Sequence, residues 1–337
     1  KMIGMTNVYM YSNSRGAIMN VLSLFDGMSC GQIVLDQLGI PVKNYFASEI
    51  DKYAITVAQA NYPDMIHLGD VRHVKTSEDH LIDDFSCGHK IDLLIGGSPC
   101  QGFSFAGNNL NFDDPRSQLF FEYVRLLKAL KPKYFLLENV RMKKESMDVI
   151  TEMLGVDPVV INSNLVSAQN RHRLYWTNIP MDGVPDDRGI VLSDILEDGI
   201  TDRDKSHCID ANYFKGGNLK SYFEKHRRQL VFSADGEPKI LQKGRGYNKG
   251  GLKAKNGKTP TLSTSSWQHN NHLTYDEGLT YRKLTPTECE RLQTVPEGYT
   301  DKGVSDTQRY KMLGNGWTVD IIKHILSGMK QELKEYI

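Results

Sequence analysis

The sequence predicts an α/β fold with a doubly wound, mostly parallel sheet, and three observations support this prediction. Short apolar runs bounded by turn residues alternate with helical patterns up to Val140. A glycine-containing turn and a helical pattern follow the first run, as in a βα unit. Acidic, amide or cysteine residues follow directly after five of the runs. Strands that alternate with helices pair in parallel and are covered on both faces.

Local patterns justify the individual elements in chain order. Strands are predicted at 21–25 and within the segments KNYFASEID, MIHLGDV, KIDLLIGG and YFLLENV. Helices are predicted from the first turn to about Gly39, from Asp51 to Asn61, and in SQLFFEYVRLLKALKP, which Pro132 terminates.

Regular structure returns near the C-terminus after a loop-rich middle part. Thr285-Pro286-Thr287-Glu288 has the form of a capping box with proline at the first helical position. The segment TVDIIKHILSGMKQEL predicts a helix with one core-facing stripe, formed by Val319, Ile322, Ile325, Leu326 and Met329.

Changes in glycine content and in helical periodicity along the chain predict two domains. Residues 179–280 are rich in turn residues and glycine and show poor helical periodicity. We predict that they form a smaller domain inserted into a larger one, which comprises residues 19–178 and 281–337. Residues 1–18 precede the first strand and are interpreted as an extension, and whether this extension is native stays open.

Cysteine usage and hydropathy exclude several classes of protein. The cysteines are five, widely spaced and without a C-x-x-C pair, which argues against a zinc site, any other metal centre and a disulfide framework. A reducing, cytoplasmic compartment is therefore expected. No apolar run approaches the ~20 residues that span a bilayer, so no membrane partner is expected.

The charge is balanced overall but unevenly distributed. The formal net charge is zero, yet residues 201–258 contain 14 Lys and Arg against 6 Asp and Glu. From Lys239 to Lys258 there are seven basic residues and no acidic one. Such a run is either a solvated face or a surface that approaches a phosphate backbone, which its interleaved glycines favour.

The residues after the predicted strands suggest one ligand site. In an open parallel sheet, ligands bind beyond the carboxyl ends of the strands. Five ends meet this condition, namely those at Phe25-Asp26-Gly27, Glu49, Asp70, Pro99-Cys100 and Glu138-Asn139. Any one of these acids is equally well a helix cap or a surface residue, so the hypothesis depends on their coincidence.

The first turn, FDGMSCG, has the strand–turn–helix form that receives a nucleotide-like ligand, but it lacks the G-x-G-x-x-G fingerprint. Glu49 is suited to accept hydrogen bonds from ribose hydroxyls, and Asp70 from the exocyclic amine of adenine. Acidic groups repel phosphate and no P-loop is present, so an adenosine without phosphates is expected. Cys100, in GGSPCQGFS, is either a small buried residue or a presented thiolate.

Taken in order, eight motifs resemble the motif series of the DNA (cytosine-5) methyltransferases: SLFDGMSCG, SEID, GDV, IGGSPCQGFS, LLENV, SAQNRHRLYW, LTPTECERLQTVPEGYT and LGNGWTV. The resemblance covers residues 19–180 and 281–330. SLFDG and GWTVDIIKHI are more similar to the animal de novo branch, because bacterial restriction-linked enzymes have GNAVP-like residues at Asn315-Gly316-Trp317. The resemblance implies a Rossmann-like, S-adenosylmethionine-dependent methyltransferase fold and a duplex DNA substrate.

The chemistry of cytosine methylation explains these motifs. Cytosine C5 is a weak nucleophile, and a thiolate that adds at C6 makes C5 enamine-like, which is the role expected for Cys100. A protonated carboxyl that hydrogen-bonds N3 eases the attack, and by resemblance this is Glu138, with Asn139 orienting the loop. Resemblance also implies that Arg173 holds the cytosine carbonyl oxygen and that Arg171 supports the cysteine and phosphate geometry.

The target base must leave the duplex to reach such a thiolate, so base flipping is expected. The polar loop Gln101–Asp113 is predicted to close over the base, with Gln101 filling the vacated space and Ser104 contacting DNA. In the inserted domain, which takes the place of the family's target recognition domain, the expected DNA contacts are Lys243, Arg245, Lys249, Lys253, Thr261 and Gln268.

By the same resemblance the cofactor is S-adenosylmethionine, and S-adenosylhomocysteine is the product. The residues expected to bind it are Phe25, Asp26, Gly27, Met28, Ser29, Cys30, Glu49, Ile50, Asp70, Val71, Pro99, Asn315 and Trp317.

Two alternatives stay open, a transfer-RNA cytosine-5 methyltransferase and a catalytically silent DNA-binding homologue. The first lacks its expected Cys-Phe-Thr motif here, and the intact catalytic set argues against the second. A cognate restriction endonuclease is a candidate partner, and the oligomeric state stays open.

Overall fold

A central sheet with helices on both faces organises the part of the chain that the structure, a computed structural model, describes. That part comprises residues 18–83, 86–99, 115–217, 219–225, 227–233, 238–242, 251–253, 272–275 and 280–334.

Within those residues the strands are β1 (Met19–Leu24), β2 (Val42–Ser48), β3 (Ile66–Gly69), β4 (Lys75–Ser77), β5 (His80–Ile82), β6 (Gly88–Lys90), β7 (Leu93–Gly96), β8 (Tyr134–Val140), β9 (Val159–Asn162), β10 (His172–Thr177), β11 (Leu230–Ser233), β12 (Pro238–Gln242), β13 (Gly251–Lys253), β14 (His272–Tyr275) and β15 (Thr280–Lys283). The α-helices are α1 (Cys30–Leu38), α2 (Lys52–Asn61), α3 (Pro115–Leu130), α4 (Lys144–Leu154), α5 (Leu192–Ile195), α6 (Leu219–Lys225), α7 (Pro286–Leu292), α8 (Asp306–Asn315) and α9 (Val319–Lys334).

The main sheet confirms the predicted doubly wound, mostly parallel architecture. Its described strands lie in the order β3-β2-β1-β7-β8-β10-β9. The pairs from β3 to β8 are parallel, whereas β10 runs antiparallel to both β8 and β9. The chain moves outward from β1 to β3 and then returns to the other side of β1 at β7. This change of direction opens a crevice beyond the carboxyl ends of β1 and β7, which is where such folds bind ligands.

Strand alternation explains how the sheet separates two hydrophobic cores. In β1, Val21 packs in the core that contains α1 and α9, whereas Leu22 packs in the core that contains α3. In β7, Ile95 and Leu94 divide in the same way. Successive side chains of a strand point to opposite faces, so a sheet buried on both sides needs continuous apolar runs.

The structure confirms most of the predicted elements and corrects two. Thr285 accepts a hydrogen bond from the backbone N–H of Glu288, which completes the capping box of α7. The first strand ends at Leu24 and not at Phe25, because Phe25 has a φ of 56° and turns out of the sheet. The antiparallel sheet of β4, β5 and β6 was not predicted, since its three-residue strands are too short for a periodic pattern. All five side chains of the predicted stripe on the last helix are buried: Val319, Ile322, Ile325, Leu326 and Met329.

The region predicted as an inserted domain contributes to the main core at its beginning. Ile179, Leu192, Ile195 and Ile209 are buried in the same cluster as α9. Further along, β11 pairs with β15, and β12 lies between β13 and β14 in a separate small sheet. The boundaries at 178/179 and 280/281 stay a prediction.

Helix α9 packs against the loop after β10 at a contact that only glycine permits. A Cβ at Gly328 would lie 1.8 Å from the carbonyl oxygen of Pro180. Alanine favours a helix over glycine by about 1 kcal/mol, but the obstructing atom is backbone and cannot rotate away. We expect Gly328→Ala to destabilise the protein by about 1–3 kcal/mol in urea unfolding monitored by circular dichroism. Ser327→Ala, at the adjacent position, is the control and should change stability little; equal stability of both variants would contradict this packing.

Candidate active site

A cavity of about 510 Å³ lies at the crevice beyond the carboxyl ends of the parallel strands. Its lining residues lie far apart in the sequence, between positions 25 and 317. The predicted catalytic and cofactor-binding residues that line it are Phe25, Asp26, Gly27, Met28, Cys30, Glu49, Ile50, Asp70, Val71, Pro99, Glu138, Asn139, Arg171, Arg173, Asn315 and Trp317. Ser29 is buried and is not among the lining residues.

The turn between β1 and α1 is built from left-handed residues. Phe25, Gly27 and Ser29 have φ values of 56°, 58° and 63°. Left-handed conformations at every second residue reverse the chain within a few residues. They cost conformational energy at every residue type except glycine. The backbone N–H of Gly27 donates to Glu49 Oε2 at 2.8 Å, which joins this turn to the end of β2.

Asp26 is a buried carboxyl whose partners are hydroxyl groups. Tyr45 Oη donates to Asp26 Oδ1 at 2.7 Å, and the Ser29 hydroxyl donates to Oδ2. Burial raises the pKa of Asp26 to about 6, and the hydrogen bonds from Ser23, Ser29 and Tyr45 offset only part of this effect. The turn therefore carries a carboxyl that changes charge near neutral pH.

Glu49 and Asp51 organise the junction of β2 and α2. Glu49 Oε1 accepts from the backbone N–H groups of Ile50 and Asp51 at 2.7 and 2.9 Å. Asp51 caps α2 by accepting from Tyr53 N, and its other oxygen pairs with Lys311 Nζ at 2.6 Å. The Glu49 carboxylate is thus held on the cavity wall, where its remaining lone pairs suit a ribose diol.

Asp70 is engaged by an arginine that the sequence patterns did not indicate. Its carboxylate caps the 3₁₀ turn Val71–His73 and pairs with Arg72, whose Nε lies 3.0 Å from Oδ1. Hydrogen bonds from Arg72 lower the pKa of Asp70 to about 2. The predicted contact of Asp70 with adenine stays a prediction, and at this carboxylate the amine would share acceptors with Arg72.

Two donors from separate elements hold the Glu138 carboxyl. Arg173 Nε lies 2.8 Å from Oε1, and the indole Nε1 of Trp317 donates to Oε2 at 3.3 Å. The pair is well shielded, with 14% of the Arg173 side chain and 13% of the Glu138 side chain exposed. Burial would lower the pKa of Arg173, but the nearby Glu138 carboxylate outweighs it and raises that pKa.

Asn139 connects β8 to the end of β7. Its side-chain amide donates to Ser98 Oγ at 3.1 Å, and its Oδ1 accepts from Val140 N. Asn139 and Ser98 are both buried. This contact ties Asn139 to Ser98, two residues before Cys100.

Arg171 is buried and bonded to main-chain carbonyl groups. Its Nη1 donates to Ile209 O at 2.9 Å, and its Nη2 donates to Gly314 O and Gly316 O at 3.2 and 2.8 Å. Cys208 Sγ lies 3.3 Å from Nη1 and 4.0 Å from Arg173 Nη2. Both arginines therefore approach Cys208, but Arg171 is also bonded to backbone carbonyl groups.

Several predicted residues lie outside the described part of the chain, namely Cys100, Gln101, Ser104, Lys243, Arg245, Lys249, Thr261 and Gln268. Lys253 lies on β13, and its side chain is not described. The sequence patterns missed Gly97, Arg72, Lys311 and Cys208. Of these, the doubled glycine in GGSPC was a usable signal for Gly97, whereas no local pattern indicates Cys208.

The described residues contain no cluster of three or more His, Cys, Asp or Glu placed to bind a metal ion. None of their helices is both long and apolar enough to cross a bilayer.

The doubly wound sheet and its acid-lined cavity define the class of α/β proteins that bind a nucleoside-type ligand at a topological switch point. Comparison with known proteins identifies the family. The family model for C-5 cytosine-specific DNA methylases matches residues 19–331. The chain therefore belongs to that family: it is a DNA (cytosine-5) methyltransferase, its methyl donor is S-adenosylmethionine, and its substrate is DNA.

Individual relatives agree with this assignment. Type II methyltransferase M1.ScrFI of Lactococcus lactis subsp. cremoris is 31% identical over 340 residues, which cover 96% of this chain and 81% of that protein. Type II methyltransferase M.NlaX of Neisseria lactamica is 30% identical and covers 93% and 96% respectively. Among solved structures, the Entamoeba histolytica methyltransferase EhMeth shares the fold with a TM-score of 0.63 at 15% identity, covering 94% of this chain and 99% of that one.

The buried carboxyl of Asp26 predicts a pH-dependent stability. The folded-state pKa of about 6 exceeds the reference value of 3.8, so folded protein binds the extra proton between these values. Wild-type stability therefore falls as pH rises from about 4 to about 6 and then levels off. Asp26→Asn removes this titration. Between about pH 4 and about pH 6 we therefore expect the free energy of unfolding of the variant to rise by up to about 3 kcal/mol relative to that of wild type. Urea unfolding of the cofactor-free protein at several pH values measures this.

Asp51→Asn provides a control of opposite sign. Burial raises the pKa of Asp51, but hydrogen bonds from Lys311 and Tyr53 N outweigh burial and lower it. That carboxylate stabilises the fold at neutral pH and loses its effect as pH falls through its folded pKa, so wild type should lose its advantage over Asp51→Asn on acidification. A parallel pH response of the two variants would contradict the assigned environments.

Proposed function

We propose that this enzyme methylates C5 of a cytosine within a short recognition sequence of duplex DNA, with Cys100 as nucleophile and Glu138 as activating acid. One observation carries the assignment of roles. Glu138, at the end of β8, has both carboxyl oxygens held in the cavity, beside the strand end that leads through Pro99 to Cys100. A fixed carboxyl next to a cysteine-bearing loop is the pair that addition to a pyrimidine requires.

In the proposed mechanism, the Cys100 thiolate forms a bond to C6 of an extruded cytosine while Glu138 donates its proton to N3. The electron pair of the C5–C6 double bond is thereby released toward C5, which becomes nucleophilic. Asn139 holds the cysteine loop through Ser98. Arg173 contacts the cytosine carbonyl oxygen, and Arg171 supports the geometry from behind through its carbonyl contacts.

The residues of the cavity fit S-adenosylmethionine. The volume of about 510 Å³ lies in the ordinary range for a ligand of this size. Asp26 and Glu49 supply negative charge for a ligand that carries an ammonium and a sulfonium group. When bound, the cofactor supplies the electrophilic methyl group. The protein residues proposed to hold it are Phe25, Asp26, Gly27, Met28, Cys30, Glu49, Ile50, Asp70, Val71, Pro99, Asn315 and Trp317, and Ser29 supports this set from below the surface through its hydrogen bond to Asp26.

The DNA partner is proposed to be read by a target recognition domain at about residues 179–280. The excess of basic residues in 201–258 supports this proposal, since phosphate neutralisation supplies most non-specific affinity. The proposed contacts are Lys243, Arg245, Lys249, Lys253, Thr261 and Gln268, together with Gln101 and Ser104 of the loop after Cys100.

A restriction endonuclease that cuts the same sequence is the proposed partner in the cell. Relatives that align over nearly the whole chain are named type II methyltransferases. The absence of a C-x-x-C pair and the odd number of cysteines fit a reducing cytoplasm, where such a pair of enzymes would act on DNA.

The reaction is tested with radiolabelled S-adenosylmethionine and mixed-sequence duplex DNA, followed by base-resolution mapping of modified cytosines. We expect label at C5 of cytosines that share a short motif, and none with Cys100→Ala. Label on transfer RNA but not on DNA would establish the RNA alternative. Duplex binding without any label would establish a silent DNA-binding homologue.

Glu138→Gln isolates the activating acid. Glutamine keeps the size of the side chain but cannot deliver a proton to N3, so we expect kcat to fall by about 10²–10⁴-fold. Duplex affinity, measured by fluorescence anisotropy, should stay within about twofold of wild type. Glu152→Gln, at an exposed position on α4, is the matched control and should leave kcat unchanged; an equal loss in both variants would contradict the role of Glu138.

A further inference from the structure

Trp317 lines the cavity and also donates a hydrogen bond to Glu138, the proposed activating acid. Its indole Nε1 donates to Glu138 Oε2 at 3.3 Å, although the two residues are 179 positions apart in the chain. The motif LGNGWTV, which contains Trp317, is the one that departs from GNAVP-like sequences. An aliphatic side chain at this position has no N–H group to donate, so the departure adds a hydrogen-bond donor to the site.

The main chain around Trp317 is held firmly enough to place the indole. The carbonyl group of Gly316 accepts hydrogen bonds from Arg171 Nη2 at 2.8 Å and from Gln293 Nε2 at 3.1 Å. Gln293 Nε2 also donates to Leu313 O at 2.6 Å. The loop that carries Trp317 is therefore tied to a buried arginine and a buried glutamine.

Gly97 leaves the room in which the two side chains meet. A Cβ at this position would lie 3.0 Å from Glu138 Oε2 and 3.0 Å from Trp317 Nε1. Both distances are tighter than ordinary van der Waals contact, so a side chain at 97 would press on both partners of the hydrogen bond. The absence of a side chain at position 97 therefore leaves space for this hydrogen bond.

Arg173 completes the arrangement from the opposite side. It occupies Oε1 at 2.8 Å while the indole occupies Oε2, so donors from β10 and from the loop after α8 fix both oxygens. A free glutamate side chain samples many rotamers, and restricting it costs free energy during the reaction unless the protein has done so beforehand. Two donors that do not share an element restrain the carboxyl more tightly than either does alone.

We propose that Trp317 is a positioning residue for Glu138, whose indole N–H holds the carboxyl in the orientation that serves the target cytosine. This inference rests on the proposed role of Glu138. It separates two tasks for one side chain, because the ring lines the cofactor cavity while its N–H acts on the acid.

Exchange of the cytosine C5 hydrogen with solvent tests the second task without the cofactor. The Cys100 thiolate bonds to C6 as N3 takes the Glu138 proton, and C5 then takes a proton from water. Loss of the original C5 hydrogen to water returns the electron pair to C5, elimination breaks the S–C6 bond, and Glu138 regains the N3 proton. The net result is one hydrogen exchanged, so release of tritium from [5-³H]cytosine in duplex DNA reports the action of Cys100 and Glu138 without the cofactor.

We expect Trp317→Phe, which keeps an aromatic ring and loses the N–H, to slow this exchange about tenfold. Gly97→Ala should slow it similarly. Trp176→Phe is the matched control: Trp176 Nε1 donates to Thr151 Oγ1 at 3.0 Å in the core, so it loses the same kind of bond away from the acid. That variant should exchange at the wild-type rate after correction for the folded fraction.

Direct binding of S-adenosylmethionine to each variant, measured by calorimetry, separates the two tasks of Trp317. Normal exchange in Trp317→Phe with weakened cofactor binding would overturn the inference and leave the residue as a wall of the cavity. Wild-type protein that neither exchanges nor methylates would refute the proposed function itself. In a Glu138→Gln background, Trp317→Phe should add no further loss, whereas an additive loss would overturn the positioning role.

Discussion

One buried guanidinium group joins the three segments on which the cavity depends. Arg171 precedes β10, and its hydrogen bonds reach the carbonyl groups of Ile209, Gly314 and Gly316. These segments approach so closely that a Cβ at Gly314 would lie 2.2 Å from Asp210 O. Buried carbonyl groups left without donors cost about 1–3 kcal/mol each, so this side chain holds both the loop after α8 and the segment at Ile209.

The cavity keeps its carboxyl groups in different electrostatic environments. Asp26 is partly buried among hydroxyl donors, and burial raises its pKa to about 6. Asp70 is paired with the exposed Arg72, whose hydrogen bonds lower its pKa to about 2. Glu138 is shielded but faces Arg173 on one oxygen and a neutral indole on the other. One edge of the sheet thus supplies a carboxyl with a raised pKa, a carboxylate with a lowered pKa and a carboxyl restrained by two donors.

Sequence predicted the strand ends well because their signals are local. The apolar run before Glu138 and the turn around Gly27 are each indicated by a pattern of fewer than ten residues. Parallel pairing then brings the carboxyl ends of their strands to one edge of the sheet. The partners of these residues were not predictable in this way. Arg72 was visible only as a neighbour of Asp70, and the contact of Trp317 with Glu138 spans 179 positions. Strands as short as Lys75–Ser77 contain too few residues to show an alternating apolar pattern. The sequence therefore does not predict the small sheet of β4 to β6.

Trp317, Gly97 and Glu138 meet at one wall of the cavity. The indole lines the cavity and reaches Glu138, while the missing side chain at 97 admits both groups. A change of residue at either position therefore disturbs the packing of this wall, because close-packed groups cannot move independently. A Cβ at position 97 would lie 3.0 Å from both Trp317 Nε1 and Glu138 Oε2. The two motifs, far apart in sequence, constrain each other through the carboxyl group between them.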